Sequence, residues 1–291
     1  MEPVIFLLDL DGTLQGDVSP QLKEFELVHN VNSQIRCKNK IRYRTKLLFN
    51  DMKNGLIRPY VKEALHEIKS KHKNVEFFIY TASSDEWAKF LLPKIIAFGS
   101  LENIINKPFF TRSHCLPDGR KSISKLKPLI IKSLLGHNKY KNASFKHIYL
   151  VDNNFVLNIP EIDRLLHCPT YNYKSLNCPL RNIDEDNLNK YHNFISIFLF
   201  DMNTIHRLHL MKVYYDRAFK EYVDTEMSNE KYKSDQYWNK FSNILKKSSL
   251  KTDDEIQKSI SKLRMIHMTN EFQNLINQYI LYAKKKFKNN V

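Results

Sequence analysis

Cysteine is scarce in this chain: four occur in 291 residues, none spaced as Cys-x2-Cys, so the sequence encodes neither a disulfide framework nor a structural zinc site. A reducing compartment is the expectation. Only 6 glycines and 10 prolines are present, which excludes collagen-like and low-complexity segments. No apolar run approaches the roughly 20 residues of a membrane helix; the longest, around Val4–Leu8 and Ile195–Phe200, suit buried strands or helix segments. Asp9 interrupts the N-terminal apolar run before it reaches the length of a secretory signal. The expectation is a soluble intracellular protein with no membrane association, nucleus and cytoplasm both remaining open. Acidic residues are the minority, 31 against 46 Lys+Arg, leaving a net charge of +15. The excess thickens between Lys23 and Arg58 through Arg36, Lys38, Lys40, Arg42, Arg44, Lys46 and Lys53. This balance favours anionic partners, whether nucleic acid, phosphoproteins or acidic peptides. A Lys- and Asn-rich composition gives the same count without any such partner, and the Arg36–Lys53 run reads equally as a solvated face.

What remains is globular in character: 42% hydrophobic, 26% charged, with 18 Phe and 15 Tyr to fill a core. Three short apolar runs each end in a polar residue: Val4–Leu8 before Asp9, Phe77–Tyr80 before Thr81, and His147–Val151 before Asp152. Continuous apolar runs of this length are the mark of strands buried on both faces of a parallel sheet. A fourth strand is expected at Pro108–Thr111, and helical patterns lie at Val61–Ile68, Trp87–Phe98 and Leu126–Leu135. Alternation of this kind predicts an α/β fold with a doubly wound, Rossmann-like parallel sheet, in which Asp9, Thr81 and Asp152 converge at the carboxyl ends of adjacent strands. After Asp152 the Pro160–Pro179 stretch reads as loop. From Asp201 onward apolar residues repeat at helical spacing (Ile205, Leu208, Met211, Tyr215, Phe219, Tyr222), as they do again at Phe272, Ile276, Tyr279, Ala283 and Phe287. Thr252-Asp-Asp-Glu255 has the spacing of a capping box. The expected organisation is therefore a sheet domain over residues 1–200 and a basic helical extension over 201–291.

Asp9-Leu-Asp11-Gly12-Thr13 carries the sharpest chemistry. Two carboxylates one residue apart, just past a buried strand, share a side of the chain. Their repulsion calls for a cation, and an oxygen-only pair suits a hard ion such as Mg²⁺. One carboxylate can attack a phosphoryl group while the other moves protons. Gly12 permits a tight turn whose backbone N–H groups face a phosphate. The accompanying residues are weak singly. Thr81 alone would serve as a helix cap, Lys121 alone would be solvated and competes with Lys125, and Asp152-Asn153 alone is a turn. In one order, each at a strand end or loop, they form a joint signal. His114-Cys115 and Cys168/Cys178 lack metal-ligand spacing and read as structural, and no cysteine has an arginine six residues on, which excludes a cysteine phosphatase loop.

That ordered set resembles the haloacid dehalogenase superfamily and, within it, the phosphatases of the RNA polymerase II C-terminal domain, the NLI-interacting-factor family. The resemblance rests on Leu8–Leu14, Arg58–Leu65, Tyr80–Ser83 with Trp87-Ala88, Thr111–Cys115, Lys121–Ser124 and Val151–Asn153, and covers roughly residues 3–200. It implies a fold without a large cap, an aspartate-nucleophile mechanism and Mg²⁺ as cofactor. Asp9 would become the phosphoaspartate and Asp11 would be the general acid/base. Gly12, Thr81, Ala82 and Lys121 would hold the phosphoryl group. The metal would be bound by Asp9, the Asp11 carbonyl and Asn153, with Asp152 orienting Lys121 and the metal shell. The implied substrate is a phosphoserine or phosphothreonine protein, polymerase-tail peptides among them. Three positions depart from the family: Gly12 stands where Glu is usual, Asn154-Phe155 replaces Ser-Pro, and Ser122 replaces an acid. Two other readings stay open, a nucleic-acid 3′-phosphatase that the positive charge would suit, and a scaffold that keeps the fold without the chemistry.

Overall fold

In the computed structural model, residues 2–16, 45–136, 140–171, 173 and 234–267 are described. The elements run β1 (Val4–Leu8), α1 (Thr45–Lys53), α2 (Val61–Lys71), β2 (Val75–Tyr80), α3 (Asp85–Gly99), β3 (Ile105–Phe110), α4 (Ile123–Leu135), β4 (His147–Asp152), β5 (Leu165–His167), α5 (Tyr237–Lys246) and α6 (Asp253–Arg264). The five strands form one all-parallel sheet in the order β3-β2-β1-β4-β5. Strand order reverses at β1, so the doubly wound architecture expected from the sequence is present. Register aligns Leu8 with Ile79 on one side and Val151 on the other, which brings the residues following all three strands to one edge.

Every residue of β1, β2 and β4 is buried, as strands covered on both faces require. Alternation divides the cover. Ile5, Leu7, Phe78, Tyr80, Ile148 and Leu150 pack with Ile123, Leu126, Ile130 and Leu134 of α4. Phe6 points to the other face, against Phe77 at 5.9 Å and the Phe241 ring of α5 at 5.4 Å. α5 buries Tyr237, Trp238, Phe241 and Leu245 along one stripe, with Phe241 and Leu245 each worth about 1.5–3 kcal/mol relative to exposure. It is tied to α2 by Ser242 Oγ–Glu67 at 2.9 Å and Lys246–Glu67 at 2.7 Å. α6 begins with the expected capping box of Thr252 and Glu255. Between Ser84 and Asp152 the described residues form α3, β3, a 3-10 turn at Arg112–His114 and α4, with no inserted domain. No helix among the described residues is long and apolar enough to cross a membrane.

Two expectations need correcting. The edge strand β3 begins at Ile105, three residues before the expected start, because its polar middle (Asn106 and the exposed Lys107 and Pro108) hides it from an apolar-run search. The stretch after Asp152 is not all loop: Ile159–Arg164 is a 3-10 turn and Leu165–His167 closes the sheet as β5, a strand too short to show a period.

The chain divides into two compact units, the first comprising residues 1–16, 57–172 and 234–291 and the second 17–56 and 173–233. All the strands, α2 to α6 and the predicted site belong to the first. In the second, α1 buries Asp51, whose carboxylate accepts a hydrogen bond from Tyr173 Oη at 3.2 Å. The expected boundary at residue 200, the apolar stripes at 205–222 and 272–287, and Arg36 to Arg44 of the basic stretch lie outside the described residues.

Candidate active site

The turn after β1 is wound around one carbonyl. Leu10 O accepts from the N–H groups of Thr13, Leu14 and Gln15 at 3.3, 3.0 and 3.1 Å, and Gly12 N–H returns to Gln15 O at 2.7 Å. Gly12 has φ +81, and a Cβ there would lie 2.7 Å from Asn153 Nδ2 and 2.9 Å from its Cγ. Glycine is therefore needed twice, for the left-handed backbone and for the approach of Asn153. Gly12→Ala should cost about 1–3 kcal/mol and displace Asn153; urea unfolding alongside a turnover assay would check this. The family's usual Glu does not fit here without moving Asn153.

Lys121 is the electrostatic centre. Its side chain is buried, with Nζ 2.5 Å from Asp9 Oδ1 and 2.7 Å from Asp152 Oδ2, above the Tyr80 ring. Burial alone would lower its pKa, but the two carboxylates overcome that and hold it above its ordinary value. Asp9 shows the opposite pull: burial first, then the charge of Asp152, push it up to about 7 against the attraction of Lys121. The backbone of Lys121 is itself clamped, donating to Val156 O at 2.7 Å and accepting from Asn158 N at 2.8 Å. Lys125, one turn into α4, points elsewhere and donates to Cys115 O. Ser122 is the N-cap of α4, while Glu161 takes hydrogen bonds from the Ile123 and Ser124 N–H groups at 2.9 and 2.7 Å. A carboxylate at this positive helix end is electrostatically favourable.

Asp11, half-buried, accepts from Gln15 Nε2 at 2.9 Å through one oxygen and from Ser83 Oγ at 2.5 Å through the other. Thr81 directly follows β2 and is buried; its N–H donates to Phe110 O at 2.9 Å and its hydroxyl accepts from Ser83 N–H at 3.1 Å. The cap of α3 is Ser84 rather than Thr81. Ala82 follows, its carbonyl taken by Arg112 Nε at 2.7 Å. Asp152 spends one oxygen on Lys121 and the other on Asn154 N–H at 2.8 Å. Asn153 is bound to Thr13 twice, through its N–H at 3.1 Å and its Oδ1 at 3.2 Å, and its Nδ2 donates to Thr170 at 3.1 Å.

Asp9, Asp11, Gly12, Thr81, Ala82, Lys121, Asp152 and Asn153 thus come from four segments to one sheet edge. Gln15 and Glu161 join them without having been singled out in the sequence, and Thr13 and Ser83, named there only within motifs, gain hydrogen-bonding roles. The signal for Ser83 was its place two residues after Thr81, and for Gln15 its place four after Asp11.

Lys121 is shared by two carboxylates, Asp9 and Asp152, and a third, Asp11, stands two residues from Asp9 on the same turn. The Asp9 carboxylate, the Asp11 carbonyl and the Asn153 amide oxygen offer an all-oxygen donor set of the kind Mg²⁺ takes. The two hydrogen bonds on Asn153 Oδ1, from Thr13 and Asn154, are both 3.2 Å, and a cation would replace one. No cluster of three His, Cys, Asp or Glu side chains able to hold a metal exists among the described residues; the donor set here is instead a carboxylate, a backbone carbonyl and a side-chain amide. The residues fit the ion. Chemically the arrangement offers a carboxylate held by a lysine, a second carboxylate held by neutral donors, and the Thr81 hydroxyl for an anion; the N–H groups of Gly12 to Gln15, expected to face a phosphate, instead close the turn on Leu10 O and Gln15 O.

A sequence model of the family described as NLI interacting factor-like phosphatase matches residues 4–201. No curated protein matches the chain. Among solved structures, Fcp1, an essential RNA polymerase II CTD phosphatase, is similar at 14% identity and TM-score 0.43 over 84% of this chain and 62% of that one. Fission yeast Fcp1 bound to beryllium fluoride is similar at 13% identity and TM-score 0.36, over 90% and 62% of the two chains. A HAD-superfamily hydrolase from Geobacter sulfurreducens gives 10% identity and TM-score 0.29, over 53% of this chain and 81% of that one. The chain spans 62% of the length of either Fcp1 chain.

Proposed function

This chain belongs to the NLI interacting factor-like phosphatase family, and from that premise we propose that it hydrolyses phosphomonoesters through a phosphoaspartate on Asp9, with phosphoserine or phosphothreonine proteins as substrates. The observation that carries the reading is Lys121 Nζ held between Asp9 and Asp152 at 2.5 and 2.7 Å, with Asp11 two residues from Asp9.

Lys121 holds one oxygen of Asp9, leaving the other to attack phosphorus. As the Asp9 O–P bond forms, the ester P–O bond breaks, and the leaving oxygen takes the proton of Asp11. Asp11 then accepts a proton from water, the water oxygen bonds to phosphorus, and the acyl phosphate P–O bond breaks to release inorganic phosphate and Asp9. The Thr81 hydroxyl, Ala82 and the Lys121 ammonium would hold the phosphoryl oxygens through both steps; the N–H groups of Gly12 to Gln15 are spent within the turn. Mg²⁺, bound by Asp9, the Asp11 carbonyl and Asn153, would supply further charge stabilisation at the phosphoryl group.

The test is hydrolysis of a generic phosphomonoester, of phosphoserine peptides and of a 3′-phosphorylated oligonucleotide, each with Mg²⁺ and with EDTA. Mg²⁺-dependent turnover strongest on the peptides, with a weak dependence on ionic strength, is expected. Preference for the oligonucleotide with affinity falling steeply in salt would transfer the substrate to nucleic acid. Absence of turnover on all three would leave a scaffold.

A further inference from the structure

Arg58 is wholly buried, and its counter-ion comes from outside the segment that matches the family. The guanidinium forks onto Asp235, Nε to Oδ1 at 3.1 Å and Nη2 to Oδ2 at 2.9 Å. The rings of Tyr237 and Tyr171 flank it at 4.9 and 5.6 Å. Its remaining nitrogen, Nη1, donates to the Thr13 carbonyl at 3.4 Å. Three residues beyond Asp235, Trp238 is also fully buried and donates its indole N–H to that same carbonyl at 3.2 Å. Two donors, separated by 180 positions in the numbering, thus converge on one oxygen of the turn that carries Asp9 and Asp11. The Thr13 hydroxyl, on the same residue, is bonded to Asn153 from two sides. A buried carbonyl has two acceptor positions, and here both are filled, one by a charged donor.

We propose that Asp235 and Trp238 are positioning residues: the segment beginning at Ser234 clamps the Thr13 carbonyl and thereby fixes the turn at residues 9–15 and Asn153 in working geometry. The active site is then completed by residues beyond the family-matched region, and the described part of the C-terminal segment is a structural member of the site. The catalytic consequence rests on the phosphatase reading above; the clamp itself does not.

The test uses the full chain with Trp238→Phe, Asp235→Asn and, as a burial control on the same helix, Leu245→Ala. Trp238→Phe keeps an aromatic ring and removes the N–H. Two readouts are taken, kcat and KM on a small phosphomonoester, and hydrogen–deuterium exchange of the amides of residues 10–15 and 153–154. The clamp variants should lower kcat about tenfold with KM within about twofold, and speed exchange in the turn about tenfold, as losing one buried hydrogen bond implies. Leu245→Ala should lose stability yet keep kcat and turn exchange within about twofold of wild type. Clamp variants with wild-type kcat and wild-type exchange would overturn the proposal. If the wild-type protein hydrolyses nothing, the phosphatase reading falls and exchange alone decides: accelerated exchange upholds the clamp, unchanged exchange removes it.

Discussion

Asp9→Asn should reduce turnover on the order of a thousandfold or more and at the same time raise the thermal midpoint of the metal-free protein at pH 8. The first effect follows from removing the attacking oxygen. The second follows from electrostatics. Burial and the neighbouring Asp152 charge push the Asp9 carboxyl up to about 7 from an ordinary value of 3.8. Its folded-state pKa is thus above its unfolded one, so the native protein keeps a proton that the unfolded chain releases. The stability this contributes is present below about pH 4 and is lost as pH rises through about 7. Asparagine never ionises and escapes that loss, while Lys121 and Asp152 remain as a one-to-one pair. The midpoint difference should therefore be widest near pH 8 and vanish toward pH 4. Differential scanning fluorimetry in EDTA across that range is the measurement; a variant less stable than wild type at pH 8 would sink the account.

Lys121→Met should be the most damaging single change to the fold of this site. It leaves Asp9 and Asp152 facing each other, both buried, with no shared cation. Removing one partner of a buried ion pair costs about 3–5 kcal/mol, and turnover should vanish with it. Without the lysine, Asp9 resists ionising still more, so the deficit should grow as pH rises. Lys121→Arg should not rescue, because a planar fork cannot replace a point charge in a space this closed. The informative protein is the double variant, Lys121→Met with Asp9→Asn. Relieving one carboxylate should recover part of the loss, so the two changes should be non-additive in urea unfolding. Strict additivity would mean that the charges do not interact as the distances imply.

Much of this was legible in the residues themselves. Strands β1, β2 and β4 announce themselves because strands buried on both faces must be apolar throughout, and the polar residue ending each marks the edge where chemistry gathers. The choice between Lys121 and Lys125 was not legible, since both flank the start of a helix; only the strand-like bridge holding Lys121 to Leu157 decides which side chain turns inward. Ser83 and Gln15 were marked only by their offsets from Thr81 and Asp11, since single polar residues have no period to betray them. Asp235 and Trp238 were hidden for another reason. An amphipathic helix shows which face it buries but not against what, and a contact spanning 225 residues leaves no local trace.

That last contact has a consequence for how the protein is made. Ribosomes extend a chain at about 5–20 residues per second, so Trp238 follows Thr13 by roughly 10–45 s. Throughout that interval the catalytic turn exists without its clamp and Arg58 without its counter-ion. If the clamp acts as proposed, the turn at residues 9–15 gains its last roughly tenfold of turnover only after one of the later helices has emerged and docked.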